Sequence, residues 1–133
     1  MGKRIHLPMK SEYYLMIELG RKPEEYRATT PHWCCRLLEN RHTGLKYPRI
    51  FYEDKLAGLE CVPVHKRLDA LLTIFGQYDL QLVDVDSIVF HYGYTKRTME
   101  WEVKKLRIGY GEPKWGAKQG VPYFVSELGR RLA

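Results

Sequence analysis

The sequence predicts an α+β domain with a mostly antiparallel, curled sheet. Three observations carry this expectation. Short strand patterns outnumber helical ones, and their order implies pairing between sequence neighbours. A length of 133 residues with 44% apolar content suits one domain around one core, here residues 1–133.

Lys3 to Met9 alternates, with Ile5 and Leu7 on one face, and Pro8 restricts it to a sheet edge or strand end. Ser11 suits an N-cap for a helix over Glu12 to Leu19, with Leu15, Met16 and Leu19 as its inward stripe. Gly20 supplies the left-handed residue that stops this helix, and Pro23 prevents its continuation. Glu24 to Thr29 reads as a short strand with Glu25 and Arg27 on one face and Glu24, Tyr26 and Ala28 on the other. Thr30-Pro31 opens a second helix to Asn40 or Arg41, with Trp33, Cys34, Leu37 and Leu38 inward. Pro48 to Glu53 and Leu59 to Val64 read as strands around an Ala57-Gly58 turn.

His65 to Phe75 is helical by spacing, with Leu68, Leu71, Leu72 and Phe75 on one side and Gly76 as its stop. Leu80 to Val85 alternates and leads into Ile88 to Tyr92, which is apolar on both faces and therefore central. Arg97 to Ile108 is a long strand with Met99, Trp101 and Val103 on one face. Leu106 and Ile108 reverse that parity, which predicts a bulge near Lys104-Lys105. Gly109 to Gly120 is turn-rich, and Val121 to Leu128 is the last strand, ended by Gly129.

Composition excludes several classes. No apolar run approaches the roughly 20 residues of a membrane-spanning helix. Met-Gly-Lys-Arg-Ile-His lacks the apolar core of a secretion signal. Three cysteines, two of them adjacent at Cys34 and Cys35, make no disulfide framework. The expectation is a cytoplasmic protein with no membrane partner. Net charge is +6, and Lys96 to Lys118 holds seven Lys/Arg against three Glu, a bias that suits a polyanion or simply solubility.

The chemistry concentrates in Gly20-Arg21-Lys22-Pro23-Glu24-Glu25-Tyr26-Arg27. Glu25 lies between two cations, which favours its carboxylate form and holds Lys22 protonated. A pinned ammonium suits anion binding better than attack on an amide, unless burial outweighs the pairing. Arg27 offers a planar fork for a phosphate or for Glu25 itself. Either Glu25 orients Lys22 and Arg27 toward a phosphate or base edge, or the three form an ion-pair lattice tying helix to strand.

Gly20-x-Lys22-x-x-Glu25-x-Arg27 resembles the GxKxxExR signature of ASCH domains, relatives of the PUA-type RNA-binding modules. Leu7-Pro8-Met9-Lys10 and Thr30-Pro31-His32-Trp33 resemble the segments flanking that signature. Ile88 to Tyr94, Trp101-Glu102-Val103, Trp115-Gly116-Ala117 and Tyr123 to Gly129 are similar to the closing strands. Residues 42–85 match nothing in that pattern and look like an insertion. The resemblance implies a PUA-like small curled β-barrel, antiparallel or mixed, with helices packed on it and a cleft lined by the signature, and binding of RNA or a nucleotide. Some members are ribonucleases, and a compact one is similar to an amidohydrolase of an acylated cytidine that uses a Lys and a Thr of the signature and a Glu elsewhere. Lys22 matches that Lys, whereas Glu25 occupies the Thr position.

A second constellation is Tyr92-Gly93-Tyr94-Thr95-Lys96-Arg97. Rings beside cations in a loop suit single-stranded nucleic acid, with Tyr94 stacking on a base and Lys96 and Arg97 holding phosphate. A hairpin whose tyrosines pack the core is the alternative. Lys104, Lys105 and Arg107 could extend a phosphate track or form a solvated strand face. Among His32, Cys34, Cys35, His42, Cys61 and His65, only Cys61-x-x-x-His65 has ligand-like spacing, so no metal is assigned. No phosphate-cradling GxxxxGK loop occurs, and Gly109-Tyr110-Gly111 lacks a dinucleotide context, so no cofactor is assigned.

Three readings follow. The first is a binding module for RNA, single-stranded nucleic acid or a nucleotide, built on Lys22, Glu25, Arg27, Tyr94, Lys96 and Arg97. The second is a metal-independent ribonuclease or nucleoside amidohydrolase with Lys22 and Glu25 in the chemistry. The third is a protein-interaction module docking through residues 42–85.

Overall fold

The structure, a computed structural model, describes residues 2–133. Five strands form one curled mixed sheet: β1 (Lys3–Met9), β2 (Glu24–Ala28), β5 (Val85–Tyr92), β6 (Thr98–Tyr110) and β7 (Pro122–Arg131). Their order is β1-β5-β6-β7-β2, a half-barrel with four helices packed on it. Pairing is antiparallel except for β1, which runs parallel to β5 from Lys3↔Val85 to Met9↔Tyr92. Sequence-neighbour pairing therefore holds only for β5, β6 and β7. The two N-terminal strands take opposite edges, joined by α1 (Ser11–Glu18).

Pro8 lies on the β1 edge, where its missing N–H costs no ladder bond. Ile88 and Phe90 on β5 are fully buried, as the two-faced apolar run predicts, and Leu7, Met99 and Phe124 join them. The β6–β7 register shifts between Trp101 and Lys105, matching the bulge read from the parity change.

Helix α1 departs from its predicted inward stripe. Tyr14 and Ile17 are buried, whereas Leu15 is 38% and Leu19 65% exposed. Tyr14 meets Tyr92 edge-on at 5.1 Å, a contact that a pattern of aliphatic residues does not register. Ser11 is the first helical residue and makes no capping hydrogen bond.

Helix α2 (Pro31–Leu37) ends earlier than predicted because Leu38 enters β3 (Leu38–Asn40), which pairs antiparallel with β4 (Leu80–Leu82). That two-stranded ribbon closes the root of residues 41–79. The segment holds α3 (Arg49–Lys55), 3-10 turns at Leu59–Cys61 and Val64–Lys66, and α4 (Arg67–Gln77). Neither expected strand of this segment forms. Extended Pro48 leads into α3, where Arg49 pairs with Glu53 at 3.0 Å and Phe51 stacks on Tyr47 at 4.3 Å. Helical spacing also turns Tyr52 inward, where a strand would have placed Phe51 and Tyr52 on opposite faces. Tyr52, Leu71 and Phe75 join the same core as the sheet, so the segment is no separate body.

The Tyr52 hydroxyl is buried without a hydrogen-bond partner. Tyr52→Phe is expected to raise stability by about 1 kcal/mol, because an unsatisfied buried hydroxyl is a net penalty. A higher urea midpoint at constant m-value would show it.

Candidate functional site

The curl brings the two sheet edges face to face. Arg27 on β2 donates through Nη2 to the Pro8 carbonyl on β1 at 3.3 Å and approaches Met9 Sδ at 3.4 Å. A cavity of about 390 Å³ opens at this seam, and Lys22, Glu25 and Arg27 all line it. No residue of 42–85 contributes to its wall, so the signature faces an open cleft.

Local geometry explains how the three arrive together. After α1 the Arg21 N–H reaches the Met16 carbonyl at 2.8 Å and the Gly20 N–H reaches Ile17 at 2.9 Å. These are the paired bonds of a Schellman stop, and Gly20 takes the left-handed conformation (φ 73°) that it requires. The stop aims Lys22 back under the sheet edge, where it is 2% exposed. Strand β2 then sets Glu25 opposite Ser126 and Arg27 opposite Phe124 on β7. Its alignment is fixed by Arg107, which holds Glu24 at 3.1 Å and Glu127 at 2.8 Å. Arg107 is thereby committed to structure and does not extend a phosphate track.

Within the signature, Glu25 pairs with Lys22 and not with Arg27. Glu25 Oε1 accepts the Tyr26 N–H at 2.9 Å, while Oε2 lies 3.7 Å from Lys22 Nζ. Arg27 makes no salt bridge with Glu25 and instead lies over the Trp33 ring at 5.4 Å. Lys22 donates to the Glu24 carbonyl at 2.6 Å and approaches the Tyr26 and Tyr13 rings at 4.6 and 5.6 Å. Two buried polar atoms of opposite kind, on residues that line this cavity, lack a hydrogen-bond partner: the acceptor Glu25 Oε2, which has only the Lys22 ammonium at 3.7 Å, and the donor Arg27 Nε. Native proteins rarely leave such groups unsatisfied.

For Lys22, burial outweighs the pairing with Glu25, the exception that the sequence expectation allowed. Desolvation by burial lowers its pKa from 10.5, outweighing the opposing pull of Glu25. The unfolded chain then binds more protons than the folded one between the lowered folded value and 10.5, so the Lys22 contribution to stability rises with pH across that window. Cys34, pushed up to about 12 by burial, acts oppositely from pH 9 upward. Subtracting the stability–pH curve of Lys22→Met from that of the wild type isolates the lysine. The difference should slope upward with pH on the alkaline side.

Aromatic rings wall the cavity. Tyr26 and Tyr123 lie 5.7 Å apart, and Tyr13 and Trp115 add two more rings. The loop of residues 111–120 admits them only where it lacks side chains. A Cβ at Gly111 would lie 2.5 Å from the Tyr26 ring, and one at Gly116 (φ 101°) 2.9 Å from Tyr13. Gly111→Ala is expected to displace Tyr26 and destabilise by about 1–3 kcal/mol. Thermal unfolding would measure the loss.

The sequence reading leaves Tyr13, Tyr26, Tyr123 and Trp115 out of the candidate site. Strand parity assigns Tyr26 to the face opposite Glu25, yet on an edge strand both faces border the seam. The signal available was the density of rings flanking the signature.

The second constellation divides. Tyr94 lines the cavity rim and is 97% exposed. Lys96 is exposed and lines no part of the cavity. Arg97 turns away to α1, holding Glu18 at 2.8 Å and lying over the Tyr14 and Tyr92 rings. Arg97 lines no part of the cavity. Among the described residues no three His, Cys, Asp or Glu gather as metal ligands. No helix among the described residues is long and apolar enough to cross a membrane.

Comparison with known protein families, curated proteins and solved structures finds no match for this chain.

Proposed function

We propose that the cavity binds one nucleobase, presented by single-stranded RNA or by a nucleotide. The observation that carries this reading is a pair of polar atoms lacking hydrogen-bond partners, Glu25 Oε2 and Arg27 Nε, on two residues that line one aromatic-walled cavity. A base edge offers a donor beside an acceptor, and its faces suit stacking on rings. The cavity is of small-ligand size, and its wall combines aromatic rings with the charged side chains of Lys10, Lys22, Glu25 and Arg27. The surrounding positive bias would favour a phosphate-bearing ligand. The resemblance to ASCH domains agrees with the same reading.

The test is a titration of single-stranded RNA and of the four nucleoside monophosphates at several salt concentrations. Binding that weakens with salt and is lost in a folded Arg27→Ala variant supports the proposal. Failure of every ligand to bind at low salt removes it.

One observation favours a second reading. Burial lowers the Lys22 pKa, which makes a neutral, nucleophilic amine more accessible at neutral pH. On this reading Lys22 and Glu25 serve a metal-independent ribonuclease or a nucleoside amidohydrolase. Product from RNA or from acetylcytidine that survives EDTA and vanishes in Lys22→Ala would establish it.

A further inference from the structure

We propose that the natural ligand is a chain: two consecutive nucleotides occupy two adjoining cavities, with Lys10 on the phosphodiester between them. This presupposes the base-binding reading above and adds to it a second site and a preference for polymer over monomer.

The second cavity, about 420 Å³, lies between the end of β1 and the turn joining β5 to β6. Its walls come from Pro8 to Ser11 and from Tyr92 to Thr95. It shares Pro8, Met9, Lys10 and Tyr94 with the signature cavity, so the two meet along a common wall. Both are of small-ligand size, and their contiguity suits a ligand with two repeating units.

Tyr94 stands on that common wall with its ring almost wholly exposed. The turn beneath it is nevertheless well tied. The Gly93 N–H reaches the Met9 carbonyl at 2.9 Å, and Thr95 Oγ1 donates to the Tyr92 carbonyl at 2.6 Å. A bare aromatic ring on a hydrogen-bonded turn is a ready stacking platform, and successive bases of a single strand stack on such rings irrespective of sequence. Lys10 lines both cavities, is exposed and forms no salt bridge among the described residues. A cation at the junction of two base sites meets the phosphate that links the two bases.

The experiment compares nucleoside 3′-monophosphates with the matching dinucleoside monophosphates. The monomer carries the greater negative charge, so charge alone would favour it. The dinucleotide is expected to bind about 5–100-fold tighter, the range set by one added base–ring stack. In Tyr94→Ala that ratio should fall to about 1. In Lys10→Gln the salt slope of dinucleotide binding should shrink by about 0.7. Equal binding of monomer and dinucleotide by the wild type, with monomer binding lost in a folded Arg27→Ala variant, would overturn the two-site inference and leave the base-binding reading standing. A dinucleotide advantage that persists in both Tyr94→Ala and Lys10→Gln would also overturn it. If neither ligand binds, both readings fall together.

Discussion

Lys22→Met is expected to destabilise the protein by about 3–5 kcal/mol at pH 7, and adding Glu25→Gln should restore most of that loss. The two side chains are 2% and 8% exposed and 3.7 Å apart, so each is the other's main compensating charge. Removing the ammonium leaves Glu25 with one hydrogen bond from Tyr26 and no cation within salt-bridge range. Replacing both charges removes the burial penalty together with the attraction, and such neutral replacements are often nearly free. Urea unfolding of the wild type, two single variants and the double variant closes the cycle. A coupling near zero would mean that Lys22 is already neutral in the folded protein.

Glu25→Gln alone is expected to weaken base binding by about 10–150-fold, the loss of one hydrogen bond to a charged group of about 1.5–3 kcal/mol. Glutamine keeps an oxygen for the Tyr26 N–H but turns an amide, a donor, toward the position that Oε2 holds. A ligand N–H that met an acceptor then meets another donor. The preferred base should change as well as the affinity, since a donor at that position favours bases with a carbonyl there. Calorimetric titration of the four nucleoside monophosphates against both proteins measures the two effects. An unchanged ranking at unchanged affinity would place Glu25 outside the contact surface.

Much of the fold was readable because its signals are local. Gly20 and Pro23 are chemically specific stops, the reversal between Val103 and Leu106 marks a register shift, and the two-sided apolar run at Ile88 to Phe90 marks an inner strand. The parallel pairing of β1 with β5 was not readable, because it joins segments some 80 residues apart through no short turn. Residues 48–64 misled for a different reason. Ile50, Phe51 and Tyr52 favour strands intrinsically, and packing against Tyr47 and Tyr78 overrides that preference.

The candidate site shows the same division. Sequence spacing brought Lys22, Glu25 and Arg27 into one neighbourhood, since a short stop and one strand determine it. Their partners were out of reach. Whether Arg27 pairs with Glu25 or spans to Pro8 depends on how far the sheet curls. The depth of Lys22, which decides the direction of its pKa shift, is likewise a property of the closed seam.

The most direct test follows backbone amide resonances while a single-stranded oligonucleotide is titrated into the ¹⁵N-labelled protein. Base binding at the seam predicts shifts concentrated at residues 22–27, 93–95 and 115–116, lost in the Lys22→Met/Glu25→Gln double variant. Shifts confined to residues 42–85, or a response that the double variant leaves unchanged, would contradict it.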